Sequence, residues 1–199
     1  MASHHLRSAC FLVCVSIFTI VATGEDSGTL TDWKADDKTV ASLAEPFSDA
    51  RISFRPLSKY EAFEKKFEPE LAKLGVAGYV WTPGGQLPSP ENTTVMLTPF
   101  AKPSSDALDK TIGGMQSSLQ KNHPDIKFGK IRKGLFRGLE ARAGSYTATI
   151  SGEKIVALFL VSIDTTGTFA VTAMTPVSKA TPETKKLMQT SLLTFKRKD

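Results

Sequence analysis

Cysteine is almost absent from this chain, and both copies, Cys10 and Cys14, fall close to its start. Histidine is nearly as scarce: His4 and His5 share that stretch, which leaves His123 alone further on. The same region holds the one long apolar run, Ala9 to Ala22, preceded by the single charge of Arg7 and followed by Ala22-Thr23-Gly24. The run is short for a bilayer span, and small residues stand where a signal peptidase needs them, so residues 1–24 read as a leader cleaved after Gly24. Cys14 follows Val13 in mid-run, which argues against lipid attachment. Cleavage takes both thiols and two histidines away. A mature chain of that kind has no disulfide, no thiolate nucleophile and no cysteine-ligated zinc.

Catalytic signatures are also missing. There is no Gly-x-Ser-x-Gly elbow, and Ser117-Ser118 has no partner that the sequence names. Gly84-Gly85 lacks the following lysine and helix of a phosphate-cradling loop, and Gly113-Gly114 lies inside a helical pattern, where close packing on a sheet is the favoured reading. Asp36-Asp37, Asp125, Glu140 and Asp164 are scattered, with no spacing that asks for a carboxylate pair. His123, before Pro124, reads as a solvated helix end. No catalytic, cofactor-binding or metal-binding residue is assigned.

What remains is 175 of the 199 residues, enough for one domain with a core of its own. Without Arg7 the formal charge falls from +5 to +4, a mild excess that points weakly to anionic partners. Residues 25–45 are polar and lack periodicity, so they read as a flexible lead, with Trp33 placed to pin it down. Residues 46–199 read as a single domain. Asn92-Thr93-Thr94 is a glycosylation sequon that reads as chance.

Along that domain, Ile52-Ser53-Phe54 before Pro56 predicts an edge strand. Ser58 and Glu61 have capping-box spacing, and Tyr60, Phe63, Phe67, Leu71 and Leu74 recur at helical intervals up to Gly75, interrupted by Pro69. Val76–Trp81 and Thr94–Leu97 predict strands. Ser104 or Ser105 caps a helix carrying Leu108, Ile112, Met115 and Leu119. A glycine-punctuated meander follows from Ile126, in which Ile155–Val161 is apolar without alternation, as expected of a central strand covered on both faces. Thr181-Pro182-Glu183 opens a last helix with Leu187, Met188, Ser191, Leu192 and Phe195 inward, closed by Lys196-Arg197-Lys198. The fold class is therefore α+β: a mainly antiparallel sheet packed by helices, becoming a three-layer α/β/α sandwich if the central strand is covered twice.

This order resembles the PsbP/DcrB-like fold, a family of exported α/β/α sandwich domains. The resemblance rests on Arg51-Ile52-Ser53-Phe54-Arg55-Pro56, Val95-Met96-Leu97-Thr98-Pro99, the helix from Asp106 to Lys121, the meander, and Leu192-Leu193-Thr194-Phe195. The helix around Phe63 and the polar lead depart from it. The family has no shared catalytic site, so the resemblance implies a non-enzymatic accessory or binding role.

Two clusters stand out. Lys121, Lys127, Lys130, Arg132, Lys133, Arg137 and Arg142 gather on the meander; six of them, from Lys127 to Arg142, form a candidate patch for an anionic partner. The alternative is a sheet edge kept soluble by lysine. Tyr79 and Trp81 beside a proline–glycine loop form a candidate ligand groove, or else simply bury against the sheet. The reading is a monomeric exported domain, periplasmic or extracellular, that binds an envelope protein or anionic surface. It is not integral to the membrane after leader cleavage and binds no nucleic acid. A small-molecule carrier is the alternative, and a hydrolase a third.

Overall fold

The structure, a computed structural model, describes residues 28–30, 33–57, 60–64, 73–85, 89–99 and 106–198. The leader, Pro69, and Ser104 and Ser105 lie outside the described residues. At the centre are β9 (Leu139–Ile150), β10 (Glu153–Ile163) and β11 (Gly167–Pro176), which pair antiparallel in chain order. β10 is the strand whose apolar run does not alternate. It is buried on both faces through Leu160–Ser162, as the sequence predicts.

The hairpins that build this meander use left-handed turn residues. Phe136 pairs with Leu139, and Arg137 and Gly138 between them take φ of 53° and 81°. Ile150 pairs with Glu153 around Ser151 and Gly152, at 52° and 82°. Positive φ at both central residues gives a twist that matches the flanking strands, and glycine takes the second place without strain.

Outward from the centre, β11 pairs with β6 (Asn92–Pro99), β6 with β5 (Ala77–Pro83), and β5 with β4 (Tyr60–Glu64). On the other side, β9 pairs with β8 (Arg132–Phe136) and with the short β7 (Lys127–Phe128). Beyond β8 lies β1 (Gly28–Thr29), the one parallel pairing among the described residues. A second, three-stranded sheet joins β2 (Phe47–Ser48), β3 (Ile52–Phe54) and β12 (Lys196–Arg197).

Register assigns side chains to faces, because antiparallel partners share a face and neighbours alternate. On one face α2 (Ala107–Asn122) lays Leu108, Ile112 and Leu119 onto Tyr146, Ile155, Phe159 and Met174. On the other, α3 (Pro182–Thr194) and the small sheet cover Leu160, Phe169 and Val171 with Met188, Leu192, Phe195, Ile52 and Phe54. The domain is a three-layer sandwich around a mainly antiparallel sheet, and the double covering of β10 is what makes it so. The α3 start is as predicted: the Thr181 hydroxyl accepts from the Thr184 amide, with Pro182 in the first turn.

Four sequence expectations change. Tyr60–Glu64 is a strand rather than the start of a helix, since pairing with the edge of β5 satisfies backbone groups that local helical spacing ignores. Gly75 does take φ of 78° after the helical Lys73. Lys196–Arg197 is a strand on β3 instead of a charged helix end. The N-cap position of α2 is Asp106, which caps no amide through its side chain but bridges to Lys110 at 2.8 Å. Close packing does not explain Gly114, where an added Cβ would meet nothing within 4 Å.

The polar stretch before residue 46 is packed onto the body where it is described. α1 (Asp37–Ala41) is capped by the Asp36 carboxylate, Leu30 and Leu43 are buried in the α3-side core, and Trp33 packs against it, in keeping with its expected pinning role. At Gly134 an added Cβ would sit 2.8 Å from that of Leu30, so this approach requires glycine.

Candidate functional site

The six cations of the predicted patch are divided by the strand pleat. Arg132 pairs with Ala143 and Lys133 with Arg142, so Arg132 faces α3 while Lys133 and Arg142 face α2. Arg142 extends along α2, its Nε and Nη2 donating to Asp109 Oδ1 at 3.0 and 2.8 Å. Arg137 holds the end of α3, where its Nε and Nη2 donate to the carbonyls of Phe195 and Leu193 at 3.0 and 3.2 Å, and its guanidinium lies over the Phe136 ring. Lys127, opposite Thr147, returns to the α3 side. Lys130 and Lys133 also make contacts within the fold.

Among the described residues, Tyr79 and Trp81 pack inward against other rings. Trp81 is 2 % exposed, packed against the rings of Phe47, Phe54 and Tyr79 at 5.4, 4.9 and 6.1 Å. The Tyr79 hydroxyl donates to Asp49 Oδ2 at 2.6 Å. β5 sends both rings toward the small sheet, where aromatic area is worth most in covering the core. The sequon is buried too: Asn92 is 8 % exposed and its amide donates to the Ser89 carbonyl.

A cleft of about 320 Å³ lies instead between α3 and the face of β8, β9 and β10. Its lining joins apolar surface from Trp33, Leu158 and Pro182 to polar groups from Ser145 and Gln189 and cations from Arg132, Lys185 and Lys186. Lys186 Nζ bridges to Asp36 Oδ2 at 2.8 Å, and that bond, with those from Thr39, holds the Asp36 carboxyl well below the ordinary carboxylate range. Arg132 and Lys185 have no ion-pair partner among the described residues. Only Arg132 of these cleft residues belongs to the predicted set. The cleft draws on five separated parts of the chain, so no local spacing announces it.

Two shifted carboxyls hold turns. Burial would raise the Asp164 carboxyl, but bonds from Thr166 and the nearby Arg197 outweigh it and bring it down. At Asp49, burial is likewise outweighed by bonds from Tyr79, Ile52 and Arg51. Burial alone pushes the Tyr146 phenol up to about 12. His123 is the C-cap residue of α2, and among the described residues no three His, Cys, Asp or Glu side chains group as a metal site. Among them, too, no helix is long and apolar enough to cross a membrane.

The architecture defines the class: an α/β/α sandwich of the PsbP type. Its likeness is to the solution structure of cyanobacterial PsbP (CyanoP) from Synechocystis sp. PCC 6803, with a TM-score of 0.59 at 13% identity, covering 78% of this chain and 93% of that one. PA94, a protein of unknown function from Pseudomonas aeruginosa, aligns over 74% of this chain and 95% of its own at 12% identity, with a TM-score of 0.42. The Ran-binding protein Mog1p from Saccharomyces cerevisiae aligns over 73% and 89% at 9% identity, also at 0.42. No protein-family model matches the sequence, and no curated protein does.

Proposed function

We propose that the chain is an exported, non-enzymatic accessory domain that works in the periplasm or outside the cell by holding an envelope protein or anionic surface. Supporting this reading are the leader-like residues 1–24 and a fold shared with a PsbP protein. The observation that carries it is the basic rim on the α3 side. There register puts Lys127 and Arg132 on the face from which Lys185 and the Asp36-paired Lys186 rise, while Arg142 and Arg137 are held by Asp109 and by the end of α3. A surface of one charge sign speeds encounter with an opposite partner and loses affinity as salt rises.

The test is charge reversal at Lys127 and Arg132, with capture from envelope extracts and binding to anionic vesicles both measured against salt. Capture should fall several-fold, with Tm within a few degrees of the parent. Undiminished capture removes the rim from the function. Cell fractionation with mass spectrometry of the mature N-terminus should find Glu25 first, and retention of the leader in a cytoplasmic pool would overturn export.

A further inference from the structure

The cleft under α3 already contains one carboxylate-bearing segment, and its own. Residues 33–36 run without helix or strand into the N-cap of α1, placing Trp33 in the cleft wall and, three residues on, Asp36 on Lys186. That is a pattern of an apolar side chain on the floor and an acid on the rim. The rest of the cleft repeats the chemistry without an occupant from the described chain. Leu158 and Pro182 continue the apolar lining, Ser145 and Gln189 offer hydrogen bonds, and Arg132 and Lys185 supply the cations.

We propose that this half of the cleft binds a short acidic segment of a protein partner, seating an apolar side chain against Trp33 and Leu158 and a carboxylate between Arg132 and Lys185. Three properties favour such an occupant. Its charge complements the two cations, and a guanidinium suits a carboxylate geometrically because it can donate two parallel bonds. The volume sits at the lower end of the range for ligand clefts, room for a few side chains rather than a folded surface. The floor is apolar, which a bare inorganic anion would leave uncovered. The inference rests on the binding role proposed above and names what that site takes.

The two tryptophans make the test direct, since Trp33 lines the cleft and Trp81 is buried in the ring cluster. The protein labelled with 5-fluorotryptophan gives two fluorine resonances, assigned with Trp33→Phe. The probes are a blocked pentapeptide with leucine flanked on each side by two glutamates, its lysine counterpart, inorganic phosphate, and phosphatidylglycerol vesicles. The acidic peptide should shift the Trp33 resonance saturably and leave that of Trp81 in place, and the lysine peptide should do neither. Lys185→Glu and Arg132→Glu together should weaken binding about tenfold, two surface charge contacts at their usual strength. Lys185→Glu alone, at an exposed helix position, should weaken it a few-fold. No Trp33 shift, equal affinity in the variants, an equal shift from phosphate, or a response to vesicles but not to peptide would each overturn the proposal. Loss of capture by Lys127→Glu with no Trp33 response to peptide sinks the cleft and leaves the rim. A Trp33 response with capture indifferent to Lys127→Glu supports the cleft and removes the rim.

Discussion

On one face of the central sheet a single helix, α2, supplies the described cover; on the other, α3 shares the cover with Leu30, Leu43 and three short strands. The α2 face is closed by neighbours in sequence, since residues 107–122 pack on strands 139–150 and 153–163. The α3 face is closed by Leu30, residues 43–57 and residues 187–195, which meet only in the fold. Arginines tie each helix down, again differently. Arg142 reaches an exposed acid on α2, whereas Arg137 holds two carbonyls at the end of α3. The cleft opens on the face assembled from distant parts, where conformational freedom is harder to remove and a gap between elements is easier to leave.

That contrast predicts that core truncation hurts more under α3. Phe195, fully buried against Phe169 at 4.6 Å, is the strongest case, and Phe195→Ala should cost about 3–5 kcal/mol. With each kcal/mol lowering Tm by roughly 2–4 °C in a domain of this size, thermal unfolding reads it easily. A fairer pairing is Leu192→Ala against Leu119→Ala, the same deletion on opposite faces. Both fall in the range of about 2–5 kcal/mol, with Leu192 expected at the upper end and Leu119 at the lower. Equal losses in urea unfolding would break the comparison.

Smaller effects should sort the same way. Arg137→Ala abandons two carbonyls at the end of α3 and should cost about 1–3 kcal/mol, which Arg137→Lys recovers only in part. Arg142→Ala should cost no more than about 1 kcal/mol, because Asp109 is 57% exposed and water replaces its partner. Acid sharpens the picture at the turns. The carboxyls of Asp49 and Asp164 lie lower in the folded state than in the unfolded chain. Their stabilisation is therefore complete above the unfolded pKa of about 3.9 and is lost as pH falls below it through the folded values. Tyr79→Phe removes one bond to Asp49, so its acid-unfolding midpoint, followed by circular dichroism, should move to higher pH. An unchanged midpoint would take that bond out of the acid response.

Much of the fold was legible because its signals are local. The Thr181-Pro182 start of α3 is written in adjacent residues, and the unalternating run of β10 reports burial on two sides. The strand at Tyr60–Glu64 was hidden because its spacing satisfies a helix as well, and only the open edge of β5 decides. The candidate site was less legible. Counting cations from Lys127 to Arg142 finds a cluster in sequence, yet the pleat sends consecutive residues to opposite faces, and two arginines are held by Asp109 and the end of α3. Trp33, Lys185 and Gln189 carry no mark of a cleft until α3 is laid over β9.

One pairing orders the birth of the molecule. β3 is flanked by β2 and by β12, with Ile52 opposite Arg197 and Ser53 opposite Lys196. A chain made from its N-terminal side has α2 and the meander in hand before residues 196–197 arrive. Until then Ile52, Phe54 and Trp81 wait without their lid, and the long closure between residues 53 and 196 has to be made last. The small sheet thus acts as a clasp, joining residues 47–54 to residues 196–197 across nearly the whole length of the folded chain.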